Sequence, residues 1–421
     1  MPNFSLSDSV FFEAAAQFST PFHLYDEACI RKTARRFIKA FSGVPSFREY
    51  FAVKALPTPA ILRILKEEGC GVDCASETEL MLAKACGFSG DDIMFSANDV
   101  PPHEVVFARE LGAYVNLDDF THVEILKHNG GIPEEICLRF NPGGEFRIGT
   151  TIMGDPGNAK YGMTRDQLRQ ALLICKENGT RKFGLHSFLS SNTTDPAYYP
   201  TLARLLFETG RELMAETGLT LSFVNLSGGV GIPYLPDAPE ADIEAIGAGV
   251  AEAYREVFTN NGIEGVAIKS ELGRYMTGPN GWLVTHMINE KNIYKRYVGL
   301  DASACDLMRP AMYGAYHHIT VPGKEHLPHD EQVDVTGNLC ENNDKFAVDR
   351  MLPHCDIGDL VVIHDTGAHG RSMGYNYNGK LRCKEVLRCE DGSFKLIRRA
   401  ETPADYFATL DIDPDFSKLH R

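Results

Sequence analysis

The sequence has no run of basic residues, and its 42 lysines and arginines are outnumbered by 57 aspartates and glutamates, for a formal net charge of -15. Such a chain is not expected to bind nucleic acid or an anionic membrane, because both attract positively charged surfaces. No stretch reaches the roughly 18 consecutive apolar residues of a membrane-spanning helix, and no basic leader precedes an apolar segment at the start. We therefore expect a cytoplasmic protein with a small-molecule ligand.

The eleven cysteines also lack the dense, regular spacing of a disulfide framework. Cys70 and Cys74 are the closest pair, but no second pair follows at the spacing of a zinc site. We expect reduced thiols, most of them small core residues, and no bound metal.

Between Tyr50 and Glu271, short β-branched runs alternate with amphipathic helical stretches, the pattern of parallel βαβ units. The runs are YFAVK, GVDCA, DIMFSA, AYVNL, EICLRF, FGLHSFL, LSFVNLS and VAIKSE. Eight strand-helix units over about 225 residues fit a (β/α)8 TIM barrel, typically ~250 residues long, and a doubly wound sheet is the alternative.

The chain beyond Tyr275 is rich in predicted strands, among them DLVVIHD and a hairpin of EVLRC and FKLIRR around Asp391-Gly392. We predict a barrel domain over residues 30–280. Residues 1–29 and 281–421 are predicted to form a second, β-rich domain resembling a sandwich or barrel.

Unusual polar residues coincide with the carboxyl ends of the predicted strands, where barrel active sites collect. Lys54 closes the first strand, Asp73 the second, Arg139 the fifth and Glu271 the eighth, while His186 lies within the sixth. Their convergence on one rim predicts an active site there.

The glycine-rich segment SGGVG, at 227–231, follows the seventh strand. Loops after strands seven and eight usually bind phosphate in such barrels, through backbone N–H groups. A rim lysine beside a phosphate site suggests a Schiff base, because an imine needs an amine that can lose its proton in a dry pocket. Together these features indicate pyridoxal 5'-phosphate on Lys54. Glu271 is placed to pair with the ring nitrogen, which favours decarboxylation over racemisation.

Eight segments match a known family in order: FAVKA (51–55), GVDCASETEL (71–80), LRFNP (138–142), NLSGGVGIPY (225–234), ELGRY (271–275), DLMRPAMYGAYHHI (306–319), GNLCENND (337–344) and GAHGRSMGYNYNGK (367–380). Through them the chain resembles the fold-type III pyridoxal phosphate decarboxylases, and most closely the diaminopimelate decarboxylases, over nearly its whole length.

The resemblance implies that Lys54 forms the Schiff base and that Cys340 protonates the α-carbon after carbon dioxide leaves. It also implies a homodimer with two shared active sites, because the Cys340 segment reaches across the dimer interface in relatives. The implied cofactor contacts are Lys54, Asp73, Arg139, His186, Phe188, Ser191, Gly228, Gly229, Gly231, Glu271, Gly273, Arg274, His369 and Tyr377.

For the substrate, the resemblance implies contacts with Arg274, Arg309, Tyr313, Glu341 and Asp344. The far end of diaminopimelate carries an ammonium and a carboxylate, so its pocket needs cations as well as an anion, and arginine can hold a carboxylate through two parallel hydrogen bonds. This favours formation of L-lysine from meso-2,6-diaminopimelate.

Two alternatives stay open. One is a decarboxylase of another basic amino acid or carboxylated polyamine, such as ornithine, lysine, arginine or carboxynorspermidine. The other is a non-catalytic, cofactor-binding regulatory homologue. A racemase of the same fold should have an arginine where this chain has Glu271.

Three positions depart from the family pattern. Leu272 replaces the proline of E-P-G-R, which changes backbone stiffness rather than a functional group. His369 replaces a tyrosine and would make that contact pH-sensitive. Phe188 replaces the second histidine of H-x-H-x-G-S, so it can stack on the cofactor but cannot hydrogen-bond, and any polar role would pass to Ser191 or Asn192.

Overall fold

The computed structural model describes residues 6–146 and 156–412. The chain forms two compact units. The barrel unit contains residues 30–233 and 238–276, and the sheet unit contains the residues before 30, the segment 234–237 and the residues after 276. No helix within the described ranges is both long and apolar enough to cross a membrane.

The helices and strands follow one another as α1 (Asp8–Gln17), β1 (Phe22–Asp26), α2 (Glu27–Ala40), β2 (Phe47–Ala52), α3 (Pro59–Glu67), β3 (Gly71–Cys74), α4 (Glu77–Ala85), β4 (Ile93–Ala97), α5 (Pro102–Glu110), β5 (Tyr114–Leu117), α6 (Thr121–His128), β6 (Glu135–Arg139), α7 (Arg165–Glu177), β7 (Lys182–His186), α8 (Tyr198–Thr217), β8 (Thr220–Asn225), α9 (Ile243–Val257), β9 (Ala267–Ser270), α10 (Arg274–Thr277), β10 (Gly281–Asn292), β11 (Arg296–Leu300), α11 (Arg309–Tyr313), β12 (Ile319–Thr320), β13 (Glu331–Thr336), β14 (Lys345–Leu352), β15 (Leu360–Ile363), β16 (Lys384–Arg388), β17 (Phe394–Arg398) and α12 (Pro403–Phe407).

Strands β2 to β9 form a closed parallel barrel, each paired with the next, and β9 returns to β2 through Ile268 and Phe47. The predicted eight-stranded (β/α)8 barrel is confirmed. These strands are almost wholly buried, as expected for parallel strands covered by helices on one side and filled with side chains on the other. Tyr50, Cys137 and Phe223 belong to the packed interior.

Local sequence signals explain where the barrel helices begin and end. Helix α3 has Pro59 at its first position, where the missing N–H costs nothing, and the chain turns at Gly69 with φ +88° soon after its end. At α4 the Ser76 hydroxyl accepts from Glu79 N at 3.4 Å, while the Glu79 carboxylate accepts from Ala75 N at 2.7 Å. The pair resembles a capping box, except that the glutamate accepts from the residue before the N-cap instead of from the N-cap itself.

The sheet unit contains a nine-stranded sheet in the order β14-β13-β11-β10-β1-β16-β17, with β15 paired to β10 and β12 paired to β15. Strand β1 lies between two partners that are distant in sequence, antiparallel to β10 and parallel to β16. Two apolar clusters, one around Val298 and Val335 and one around Trp282 and Val362, take alternate residues of β10 and β15 and so lie on opposite faces of the sheet.

Two strand ends differ from the sequence-based expectation. Strand β2 ends at Ala52, so Lys54 does not close the strand but lies in a single 3-10 turn over Val53–Ala55. Strand β7 ends at His186, so this residue terminates the strand instead of lying within it. Both side chains therefore belong to the carboxyl rim of the barrel, although the backbone of His186 is still paired with β6 and β8.

Candidate active site

Glu271 directly follows β9, and its carboxylate is the centre of a buried polar network. It accepts hydrogen bonds from Asn225 Nδ2 (2.6 Å), Ser227 Oγ (2.8 Å), His186 Nε2 (3.1 Å) and Ser96 Oγ (3.3 Å). Burial raises the pKa of Glu271, but the attraction of His186 and these donors outweigh it and lower the pKa to about 2. The site therefore contains a fixed negative charge at neutral pH.

Several buried atoms around this network have no hydrogen-bond partner among the described residues, and two of them belong to predicted cofactor residues. They are Asp73 Oδ1, in β3, and His186 Nδ1, the ring nitrogen that does not contact Glu271. Burial and the negative charge of Glu271 hold the pKa of Asp73 well above its usual range, against the attraction of Lys54. Buried polar atoms are rarely left unpaired, so these two are suited to contact a bound ligand.

Lys54 is exposed in the turn after β2, and its Nζ lies 5.9 Å from the centre of the Phe188 ring. The segment after Glu271 packs closely against this turn. Ala52 N donates to Leu272 O at 3.1 Å, and a Cβ atom on Gly273 would lie only 2.6 Å from Ala55 Cβ. Glycine at position 273 thus allows the lysine turn and the Glu271 segment to approach each other.

The glycine segment after β8 pairs with the loop after β7. Thr193 N donates to Gly229 O at 2.9 Å, and Gly231 N donates to Thr193 O at 2.8 Å. Gly229 has a φ of +118°, and a Cβ atom on Gly231 would lie 2.2 Å from Asn192 Oδ1. The segment can therefore contain only glycine at these points. Because Gly231 N is used within the loop pair, Gly228 and Gly229 are the better candidates for a phosphate contact.

The remaining predicted cofactor residues of the barrel unit occupy the same rim. Arg139 ends β6, donates to Asp118 Oδ1 at 2.9 Å, and lies over the Tyr161 ring with 4.3 Å between the guanidinium carbon and the ring centre. Ser191 is half-buried in the loop after β7, and Arg274 begins α10. These residues follow β6, β7 and β9 at the same end of the barrel, and their contacts with a cofactor stay predictions.

Arg309 is buried in the sheet unit at the start of α11. Its Nη1 donates to Tyr234 Oη and to His317 Nε2, both at 2.8 Å, and its guanidinium carbon lies 4.7 Å from the centre of the Tyr234 ring. His317 Nδ1 in turn donates to His364 O at 2.8 Å, so His317 is neutral and accepts at Nε2. Burial raises the pKa of Asp365 to about 7 against the attraction of Arg309.

Cys340 is exposed on the connection between β13 and β14, next to the loop that carries Tyr377. Its backbone N donates to Asn378 Oδ1 at 2.7 Å. Asp344 is buried at the end of the same connection and accepts from Leu339 N (2.8 Å) and Ala304 N (2.7 Å). Both of its oxygens thus hold loop backbone, which favours a structural role over the predicted substrate contact.

The other predicted residues of the sheet unit differ in exposure. Glu341 is exposed, as are Tyr313 at 60% and Tyr377 at 47%. His369 is half-buried with φ +55°, a left-handed conformation. Their predicted contacts with cofactor or substrate stay predictions.

Several residues of these networks were not predicted from the sequence. Ser96 and Asn225 lie in or at the end of barrel strands, so attention to every polar residue near a strand end would have found them. Tyr234 and His317 carried no comparable signal, because they act through Arg309, which is distant from Tyr234 in the chain.

Comparisons with known proteins agree with this geometry. The family model described as "Pyridoxal-dependent decarboxylase, pyridoxal binding domain" matches residues 27–278. Protein TabA of Pseudomonas amygdali pv. tabaci is 41% identical over 402 residues, covering 96% of this chain and 94% of TabA. Diaminopimelate decarboxylase of Methanothermobacter thermautotrophicus is 33% identical, covering 93% of this chain and 92% of the enzyme. The crystal structure of diaminopimelate decarboxylase from M. jannaschii with L-lysine has a TM-score of 0.86 and 29% identity, covering 96% of this chain and 94% of that chain.

Proposed function

The chain belongs to the pyridoxal-dependent decarboxylase family and is a carboxy-lyase, and from that premise we propose that it converts meso-2,6-diaminopimelate to L-lysine and carbon dioxide. The carboxyl group removed is the one at the D-centre. The observation that carries the choice of substrate is the buried, oriented Arg309 of the sheet unit.

Pyridoxal 5'-phosphate is the cofactor of this family, and the residues of the barrel unit fit it. The rim has an amine on Lys54, a carboxylate on Glu271 that is charged at neutral pH, unpaired buried atoms on Asp73 and His186, and the consecutive glycines Gly228 and Gly229. Once bound, the cofactor supplies an electron sink for the electron pair left behind by carbon dioxide.

Each of these residues then has a distinct task. Lys54 holds the cofactor through its amine, and Gly228 and Gly229 contact the phosphate through their backbone. Glu271 keeps a proton on the ring nitrogen, because a carboxylate with a pKa of about 2 stays charged at neutral pH. His186 fixes the orientation of that carboxylate through Nε2. Cys340 returns a proton to the α-carbon.

Arg309 distinguishes diaminopimelate from simpler diamino acids. A buried guanidinium held in one plane by Tyr234 and His317 can pair with a carboxylate through two parallel hydrogen bonds. Lysine and ornithine have no second carboxylate for it to bind. Asp365 lies within the electrostatic reach of Arg309 and adds an acidic group to the same region of the sheet unit.

A related substrate is the second candidate, and Phe188 is the observation that favours it. The half-buried Phe188 ring lies near both Lys54 and the glycine segment, so the loss of a histidine there changes the surface offered to the substrate. TabA, whose name states no substrate, is more similar to this chain than the diaminopimelate decarboxylase of M. thermautotrophicus. The candidate substrates are ornithine, lysine, arginine and carboxynorspermidine.

An assay of carbon dioxide release would decide between the two candidate functions. The compounds to be compared are meso-diaminopimelate, lysine, ornithine, arginine and carboxynorspermidine. Turnover confined to diaminopimelate supports the first proposal, and preference for another substrate contradicts it.

Within that experiment, Arg309→Ala should lower kcat/KM for diaminopimelate roughly 100-fold, because a charge-assisted bidentate contact is lost. Arg388→Ala is the matched control, since Arg388 is also an arginine of the sheet unit with a hydrogen-bonded guanidinium, which donates to Asp26 Oδ2 at 2.8 Å. If Arg309→Ala leaves the turnover of diaminopimelate intact, the proposed substrate is wrong.

A further inference from the structure

Glu49 is a fully buried carboxyl in β2, five positions before Lys54. Its Oε1 accepts from Leu272 N at 2.7 Å, and its Oε2 accepts from Ser270 Oγ. These two partners are the immediate neighbours of Glu271 in the chain. The Glu49 side chain, in the strand that precedes the Lys54 turn, therefore bonds to the residue before Glu271 and to the residue after it.

The peptide groups around Glu271 are held by further bonds. Leu272 O accepts from Ala52 N at 3.1 Å, so both backbone groups of Leu272 are bonded to β2. Glu271 N donates to Ser227 O at 2.8 Å, which fixes the segment to the loop after β8 as well. The bond to Glu49 exists only because position 272 is not proline, since proline has no backbone N–H.

We propose that Glu49 is a positioning residue that holds Glu271 at a fixed place relative to the turn carrying Lys54. The Glu49–Leu272 bond is one of the two side-chain contacts through which it does so. This inference rests on the proposed function, in which Lys54 and Glu271 hold the cofactor.

The protonation of Glu49 is consistent with that role. Burial raises its pKa to about 8, against the hydrogen bonds from Ser270 and Leu272, and the negative charge of Glu271 raises it further. Tyr199 and Cys70 are the other titratable groups that sense Glu49, and burial raises the pKa of both. Glu49 is thus mostly neutral at pH 7. Glutamine has the same shape and charge: its oxygen can accept from Leu272 N, and its nitrogen can donate to Ser270 Oγ.

A double-mutant cycle on cofactor binding tests the proposal. The full-length proteins are Glu49→Leu, Leu272→Pro, the double variant and Glu49→Gln, each measured for its Kd for pyridoxal phosphate and for the visible circular dichroism of the bound cofactor. We expect each of the first two to weaken binding about ten-fold, and Leu272→Pro to cost less than about two-fold once Glu49 is already leucine. Glu49→Gln should bind within about two-fold of the wild type with unchanged dichroism.

Thr180→Val controls for a general loss of stability, because it removes a buried hydroxyl bond to Pro133 O at 2.8 Å elsewhere in the barrel unit. It should leave the dichroism unchanged. Additive effects of Glu49→Leu and Leu272→Pro, or the same dichroism change in Thr180→Val, would overturn the inference. If the wild type itself binds no pyridoxal phosphate, the proposed function fails instead.

A second measurement compares the thermal stability of the cofactor-free wild type with that of Glu49→Gln, a variant that is expected to fold normally. The folded pKa of Glu49, about 8, lies above that of an unfolded glutamate. Its stabilising contribution is therefore complete in acid and is lost as the pH rises toward 8. The Tm of Glu49→Gln relative to the wild type should rise between pH 5 and pH 8, and a constant difference would show that Glu49 is not the neutral acid proposed.

Discussion

Lys269 is a buried amine with no hydrogen-bond partner in the described part of the chain, and it lies two residues before Glu271 on β9. Its Nζ is 3.2 Å from the centre of the Tyr114 ring and 3.9 Å from that of the Phe223 ring. Burial lowers its pKa to about 7. Aromatic faces attract a cation, but they do not replace the water it has lost, so this residue should reduce the stability of the barrel unit.

We therefore expect Lys269→Met to raise the free energy of unfolding by roughly 3 kcal/mol at pH 6, where the amine is charged in both states. The unfolded chain binds the extra proton from about pH 7 to pH 10.5, so wild-type stability rises with pH across that range. The gain from methionine should then shrink. Denaturant unfolding at pH 6 and pH 10 measures both effects.

The exposed Lys182 at the start of β7 provides a control, because Lys182→Met should change stability by less than about 0.5 kcal/mol. If Lys269→Met raises the free energy of unfolding equally at both pH values, burial of a charged amine is not the cause of the lower wild-type stability.

For single residues, the sequence predicted a position in the barrel wherever that position follows from the order of the strands. Lys54, Asp73 and Glu271 could be predicted because polar residues at strand ends of a parallel barrel must share one rim. Glu49 and Lys269 could not, because a charged residue inside a strand is usually exposed, and only the packing shows that these two are enclosed. The replacement of proline by Leu272 was interpreted as a change of stiffness alone, and the bond to Glu49 shows that it also adds a donor.

The loops that follow β7 and β8 pair closely with each other, and this pairing requires glycine at position 231. We predict that Gly231→Ala weakens the affinity for pyridoxal phosphate about ten-fold or more, because the new Cβ would lie 2.5 Å from Asn192 Cα, and backbone yields less easily than a side chain. Equilibrium dialysis with the cofactor measures the change.

Gly265→Ala is a suitable comparison, since this glycine has φ +79° but a Cβ atom added to it would have no described atom within 4 Å. It should cost about 1 kcal/mol of stability from backbone strain without changing cofactor affinity. Equal losses of affinity in the two variants would mean that strain, rather than the contact with Asn192, is responsible.

The elements of the barrel were predictable because buried parallel strands are continuous apolar runs and the helices between them have clear start and stop signals. Strands β12 to β14 of the sheet unit could not be predicted in this way. Strand β12 has only two residues, and the pairing of β13 with β14 shifts register between Val333 and Thr336, which breaks the alternation that a sequence pattern relies on.

For the whole molecule, we propose a homodimer in which each active site uses Lys54 of one subunit and Cys340 of the other. Cys340 and Tyr313 are exposed within the single chain, as residues that complete a neighbouring site would be. Co-expression of Lys54→Ala and Cys340→Ala chains should then restore about a quarter of the wild-type activity, because half of the dimers contain one intact site.

Each variant alone should be nearly inactive, and a mixture that stays at that level would contradict sharing of the sites. Sedimentation at several protein concentrations provides the independent measurement of the dimer.

The division of the chain into units could be predicted only in outline. The segment 234–237 belongs to the sheet unit although it lies between two barrel elements, β8 and α9. Tyr234 of this segment accepts a hydrogen bond from Arg309, 75 residues later, and no local pattern encodes a contact at that separation. The predicted cytoplasmic location stays a prediction.

The central position of β1 has a consequence for synthesis on the ribosome. Phe22 pairs with Val284 and Lys384, so β1 emerges from the ribosome long before either of its neighbours, and β16 is the second-to-last strand of the described chain. The barrel strands are contiguous and can pair as they appear, whereas the sheet needs contacts of very high sequence separation, which form slowly. Strand β1 should therefore stay sensitive to protease during synthesis and become protected only when β16 is released.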